Sequence, residues 1–319
     1  MESLSKNKLS DDQINILTKH AFGKVTMEII ENNIGEFSAL YMIKIADKEI
    51  VLKVAPKDTV KVLRYERNTM QKEIEALKLV KKNTNVPVPE VLFYDSTKAL
   101  CDSEYFFMEK VNGTNYDLLS SECSTEQNNN IMFQVGKLNR QINNINNSKF
   151  GCLVQSGNQN ENWKTIFNNL VSDILNDSKD LEIELPVSYD DIEKIIKSFS
   201  YVCEEVQTPR LIHWDLWRGN VLVHDGKITG IIDFERALYA DYLMEHLFRF
   251  SSKENNEFYK GYGVDALSLD INSQIRLRLY DLYLALIYVI EYYYRKYDQS
   301  HYEWRARSLI SACKAFEAL

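Results

Sequence analysis

The sequence predicts an α+β chain of two lobes: a small one built on a five-stranded antiparallel sheet with a helix, and a larger, mainly helical one. Three patterns carry that expectation. Short runs rich in β-branched and aromatic residues crowd the first 110 positions. After Gly113, apolar residues recur instead every three or four positions, the period of a helix with one buried face. Inside that helical half lies one hairpin, signalled by Asp225-Gly226 between two apolar stretches. The expected division is residues 1–110 for the first lobe and 111–319 for the second.

Taken in order, residues 11–22 read as a short helix, because Asp11 and Asp12 suit its positive end and Ile14, Leu17 and Phe22 recur near helical spacing. Strands are expected at 25–31, 38–45 and 49–54, separated by turns at 32–35 and 46–48. Lys53 stands inside the third. A lysine in an apolar strand is costly to bury unless paired, so it must reach solvent or meet anions. A helix follows from residue 59 to about 82, stopped by Pro87 and Pro89. Residues 90–94 and 105–109 complete the sheet. Helices are then expected near 127–146, 160–176, 189–206, 242–260 and 272–298.

Composition narrows the function. At 319 residues and 45% hydrophobic, the chain has material for two cores and is neither disordered nor fibrous. A net charge of −8 argues against a nucleic-acid partner, which demands excess Lys and Arg, and is compatible with a cationic substrate. No apolar run of about eighteen residues suggests a membrane span, and the first residues lack a secretory core. Five cysteines without a Cys-x-x-Cys spacing read as reduced thiols. A cytoplasmic monomer or weak dimer is expected.

The most informative stretch runs from Leu211 to Glu235. Leu211 and Ile212 lead into a polar loop holding His213, Asp215 and Asn220, which empties into Val221, Leu222 and Val223. The hairpin then returns Asp233 beside Asn220. A carboxamide oxygen and carboxylates on one rigid unit suit Mg²⁺, a hard ion that shares its shell with phosphate oxygens. Asp215 lies far enough before Asn220 to face a nucleophile instead of the metal. Taken singly, these residues also fit a surface loop or the His/Asp metal cluster of a hydrolase; their full order with the hairpin and second Asp favours the first reading.

The order His213-x-Asp215-Leu216-x-x-x-Asn220, with Asp233-Phe234-Glu235 downstream, resembles the catalytic loop and metal-binding tripeptide of kinases. With Trp217, Gly219-Asn220 and Glu235, it is most similar to the aminoglycoside phosphotransferase family and its relatives, the choline and fructosamine kinases. That resemblance implies a protein kinase-like fold and Mg²⁺-dependent phosphoryl transfer from ATP or GTP to a small-molecule hydroxyl. It implies that Asp215 is the catalytic base, that Asn220 and Asp233 hold Mg²⁺, and that His213 braces the loop. Such chemistry needs little covalent help, since in-line positioning and charge neutralisation stabilise a loose transition state. The family often has Gly between the His and the Asp; here Trp214 takes that place, which affects the backbone path of the loop.

By the same resemblance Lys53 reaches nucleotide phosphates and pairs with a helix glutamate, Glu73 in preference to Glu75. The alternative is that both are solvated helix acids with lysine neighbours. Gly35 and Ser38 fall at the phosphate-covering turn, although a plain hairpin would use the same residues. Backbone groups from Glu109 to Val111 fall at the hinge that meets the nucleotide base. Glu235, Asp241 and Glu245 are candidates to face an ammonium-bearing acceptor, while Asp241 serves equally well as a helix cap. The aromatic run 280–294 reads as helix core or, alternatively, as a cation-binding box. The leading expectation is a kinase of an amino-sugar-like cationic acceptor, aminoglycoside resistance being the best-known activity of the family. A metabolic kinase of choline, a ketosamine or a sugar comes second. A silent kinase-like binding protein is disfavoured, because Lys53, Asp215, Asn220 and Asp233 are all present.

Overall fold

The computed structural model describes residues 6–34, 37–154, 159–249, 256–265 and 268–317. Helix α1 (Asp11–Phe22) starts in a capping box, Ser10 accepting from the Gln13 N–H while the Gln13 side chain accepts from the Ser10 N–H. It buries Ile14 and Leu17 against the first sheet. That sheet holds β1 (Met27–Ile34), β2 (Ala39–Ile45), β3 (Lys48–Val54), β4 (Val91–Asp95) and β5 (Tyr105–Glu109) in the order β1-β2-β3-β5-β4, antiparallel throughout. All five expected strands form. The first reaches Ile34, running through most of the expected turn with register shifts on the way.

Helix α2 (Thr69–Asn83) begins ten residues later than its periodicity suggests. The reason lies in Glu66, whose carboxylate accepts the Leu63 N–H and closes a separate 3-10 turn, Arg64–Glu66, after which Asn68 adopts a left-handed conformation at φ 59°. Met70 and Ile74 pack with Phe106 of the sheet. Ala76, Leu77 and Val80 join the large core of the second lobe instead. The helix is therefore wedged between the two lobes.

The second lobe contains α3 (Tyr116–Leu119), α4 (Thr125–Asn143), α5 (Trp163–Lys179), α6 (Tyr189–Phe199), α7 (His246–Arg249), α8 (Asn256–Tyr262), α9 (Ile271–Arg295) and α10 (Tyr302–Lys314). Helix α10 has no counterpart in the sequence reading. The helix expected at 242–260 is broken into a 3-10 turn, Tyr242–Met244, followed by α7 and α8. Two small sheets sit among the helices. One joins β6 (Thr114–Asn115) to the expected hairpin of β10 (Val221–His224) and β11 (Lys227–Ile231); the other runs β8 (Gln159–Asn160), β7 (Phe150–Cys152), β12 (Leu238–Ala240), β9 (Arg210–Ile212). The fold is thus the expected α+β arrangement of a small sheet lobe and a larger helical one. No helix among the described residues is long and apolar enough to cross a membrane.

Candidate active site

Lys53 sits in the register of β3 opposite Leu40 and Phe106, and only 4% of it is exposed. Its ammonium meets three carboxylates: Glu73 Oε2 at 2.7 Å, Asp233 Oδ1 at 2.7 Å and Glu235 Oε2 at 3.1 Å. Burial alone would drive the amine toward neutrality, but Asp233, Glu73 and Glu235 outweigh it and hold its pKa well above the ordinary value. Glu73 is fully buried in α2, and burial, only partly offset by Lys53, pushes its carboxyl up to about 7. Asp233 is also desolvated, yet Lys53 holds it below the usual carboxylate range.

The loop between β9 and β10 is fixed from beneath. His213 is buried; its Nε2 bonds the Ile232 carbonyl at 2.9 Å and its Nδ1 accepts the Asp215 N–H at 3.3 Å, which specifies the neutral Nε2–H tautomer. The Glu245 carboxylate accepts four N–H groups: the amides of His213 at 2.9 Å and Trp214 at 2.8 Å, and the side chains of Asn139 at 2.7 Å and Asn143 at 3.0 Å, both from α4. Trp214 is held at φ 65°, in the left-handed region, with its indole stacked on Tyr283 and edge-on to Tyr65. Asp233 is left-handed too, at φ 66°. One lies in the loop and the other just past β11, and each stores strain that the surrounding packing must hold.

Asp215 and Asn220 are coupled through the loop, Asn220 Nδ2 donating to the Asp215 carbonyl at 2.8 Å. The Asn220 Oδ1 accepts no hydrogen bond among the described residues. Burial raises the Asp215 carboxyl pKa against the pull of Arg236, the direction that strengthens a base. A single cavity of about 200 Å³ is lined by Ser38, Lys53, Asp215, Asn220, Asp233 and Glu235. The hydroxyl of Ser38 is buried without a hydrogen-bond partner among the described residues. An orphaned donor lining the same cavity as hard oxygen donors fits a phosphate-bearing nucleotide with Mg²⁺. Carboxylate oxygens of Glu73, Asp233 and Glu235 also lie within 4.8 Å of one another.

The structure thus brings together Lys53, Glu73, Ser38, Asp215, Asn220 and Asp233. Gly35 lies outside the described residues. Glu109 and Val111 stand apart from this cavity: the Glu109 N–H is used within the sheet, donating to the Glu90 carbonyl at 2.9 Å, and Val111 packs over Gly230. Of the three acceptor candidates, Glu235 lines the cavity and is bonded to Lys53, while the other two need correction. Asp241 is buried, caps the turn at Leu243, and is bonded by Arg276 Nε at 3.0 Å and Tyr280 Oη at 2.8 Å. Glu245 is fully buried under the loop. Asp241 and Glu245 are placed away from an acceptor, since both are buried and their oxygens are taken by protein donors. In the aromatic run, Tyr280 and Tyr283 are buried as core.

Sequence reasoning missed a chain of charges, Arg236, Glu291 and Arg295, that lines the same cavity. Arg236 pairs with Glu291 at 3.3 Å and lies over the Tyr65 ring; Arg295 pairs with Glu66 and lies 4.3 Å from the centroid of Phe37. Its signal was present. Glu291 and Arg295 stand four apart in the second half of α9, residues 282–295, which is otherwise apolar and aromatic and where lone charges are costly without partners.

Comparison with known proteins agrees with this geometry. Residues 30–270 match the phosphotransferase enzyme family. A Vibrio vulnificus protein named as a probable ketoamine kinase is 24% identical over 265 residues, covering 79% of this chain and 82% of its own. A thermostable mutant of aminoglycoside phosphotransferase APH(4)-Ia, solved with AMP-PNP and hygromycin B, superposes with a TM-score of 0.69 at 16% identity, covering 96% of this chain and 100% of its own. A Haemophilus somnus protein provisionally named as a fructosamine-3-kinase gives 0.68 at 17% identity, covering 94% and 96%. With the family match spanning most of both lobes and the fold shared almost end to end, the chain belongs to the phosphotransferase enzyme family and has its bilobal kinase-like fold.

Proposed function

We propose that the chain is a Mg²⁺-dependent kinase that transfers the γ-phosphoryl group of ATP or GTP to a hydroxyl of an amino-sugar-like small molecule. The convergence of Lys53, Asp215, Asn220 and Asp233 on one cavity carries this reading. Lys53, pinned by Glu73, would meet the nucleotide phosphates, with Ser38 and Gly35 at the covering turn and the backbone of Glu109 to Val111 at the base. Asp215, its basicity raised by burial, would accept the hydroxyl proton as the oxygen attacks. Asn220 and Asp233 would hold Mg²⁺, which when bound neutralises phosphate charge. His213 and Glu245 keep the loop rigid, so that the hydroxyl and the phosphate are held in line. Residues 1–110 would then carry the nucleotide and 111–319 the acceptor.

The test is a kinase assay with ATP or GTP, Mg²⁺ and a panel of aminoglycosides, ketoamines, choline and sugars, followed by mass spectrometry. A mass gain of one phosphoryl group supports the reading; no product together with no nucleotide-dependent shift in melting temperature overturns it. The relative named as a ketoamine kinase favours a metabolic role over antibiotic resistance. Failure to protect growing cells against aminoglycosides, with ketoamine turnover present, would settle that choice.

A further inference from the structure

Arg236 lines two cavities, that of Lys53 and Asp215 and a second of about 250 Å³. The second is also lined by Trp214, next in sequence to Asp215, and by Arg64, Arg67, Lys72 and a single carboxylate, Asp173. Two of its four cations are matched: Arg64 by Asp177 and Asp180, and Arg236 by Glu291. Arg67 and Lys72 have no carboxylate within 4.0 Å among the described residues. Lys72 is only 7% exposed, and its ammonium donates to the Tyr65 carbonyl at 2.7 Å. Burial pushes its pKa down, the mark of a charge short of partners. The start of α2, where Asn68 makes no side-chain cap, adds its positive end to the same wall. Meanwhile Asp241 and Glu245, the acids that would have welcomed a cationic acceptor, are consumed inside the lobe, and Glu235 is bound to Lys53.

We infer that this cavity takes an acidic group of the acceptor, a carboxylate or phosphate held by Lys72 and Arg67, while the hydroxyl faces Asp215. The inference rests on the kinase reading and adds the charge class of its substrate. An acidic group supplies what the buried ammonium lacks, and charge-assisted bonds to it are the strong kind.

The test is a thermal-shift titration at constant ionic strength with D-gluconate, D-glucosamine, D-glucose and inorganic phosphate, each with Mg²⁺ and AMP-PNP, on the wild-type chain and on Arg67→Gln and Lys72→Met. Arg67 is exposed, so its variant keeps the fold even where the buried Lys72→Met does not. Gluconate is expected to saturate at a concentration at least about tenfold below glucosamine and glucose, and the preference should vanish in Arg67→Gln. Phosphate that competes with gluconate supports a shared anion cavity. Phosphate binding that is lost in Arg67→Gln, without a gluconate response, supports the phosphate form of the inference; equal binding of glucosamine and gluconate, an unchanged Arg67→Gln, or no response to either anion overturns it. The AMP-PNP shift is a separate arm. Its loss in the wild type would sink the kinase reading, whereas an intact nucleotide shift with no anion preference sinks only the charge class.

Discussion

Lys53 and Asp233, separated by 180 positions, meet at 2.7 Å and join the sheet of one lobe to the hairpin end of the other. Removing the ammonium in Lys53→Met would leave Glu73, Asp233 and Glu235 crowded together without the one cation that bonds all three. Breaking such a buried pairing costs about 3–5 kcal/mol. The pH dependence has a definite sign. A carboxyl whose folded pKa is raised, as Glu73 is to about 7, contributes stability that is fully present below its ordinary value and is lost as pH rises through the folded value. Without Lys53 these acids rise further, so the variant should recover part of the lost stability on acidification from pH 8 to 5. Urea unfolding of wild type and variant at both pH values measures it; an equal deficit at the two would remove the carboxylate crowding as the cause.

Asp215 and Asp233 should separate kinetically. Asp215→Ala is expected to lower kcat by roughly 10²–10⁴ while the nucleotide still raises the melting temperature, because the base acts on the hydroxyl and not on nucleotide binding. Asp233→Asn is expected instead to raise the Mg²⁺ concentration needed for half-maximal rate. A Mg²⁺ titration that coincides with wild type would take Asp233 out of the metal shell.

Glu245 is a buried acid whose four bonds all serve the loop and its neighbours. In Glu245→Gln one carboxamide N–H faces the Trp214 amide, a donor against a donor. The cost is about 2 kcal/mol of stability, from one unpaired buried donor and the loss of charge assistance. Since the loop carries Asp215, kcat should fall while the KM for ATP stays near wild type. A variant with wild-type kcat would confine Glu245 to stability alone.

Much of the fold was legible because its signals are local. The Asp225-Gly226 turn and the β-branched runs at 39–45 and 48–54 name their own structure, and Lys53 announces itself as a charge in an apolar strand. What stayed hidden depends on partners distant in sequence. Helix α2 starts late because Glu66 turns back to the Leu63 N–H and is held there by Arg295, 229 positions away, which the helical period of residues 59–82 does not reveal. Asp241 and Glu245 looked like acceptor ligands because an acid after a metal strand carries no mark of which way it faces. Arg276, Tyr280 and the two asparagines of α4 decide that, and they lie 35 or more positions from the acids they bind.

Trp214 tests whether packing or backbone strain rules the loop. At φ 65° it occupies a conformation that glycine adopts freely, so Trp214→Gly relieves about 1–2 kcal/mol of strain. The same change deletes an indole that is 4% exposed and packed between Tyr65 and Tyr283, a loss of about 3–5 kcal/mol. Packing is the larger effect. The variant should therefore be less stable by about 1–4 kcal/mol, the difference between those two ranges. The indole also lines the cavity that holds Lys72, so its removal should enlarge that cavity and weaken acceptor binding more than nucleotide binding. Chemical denaturation reads the first effect and the ratio of the two KM values the second. A variant more stable than wild type would show that strain at this position outweighs the contacts of the ring.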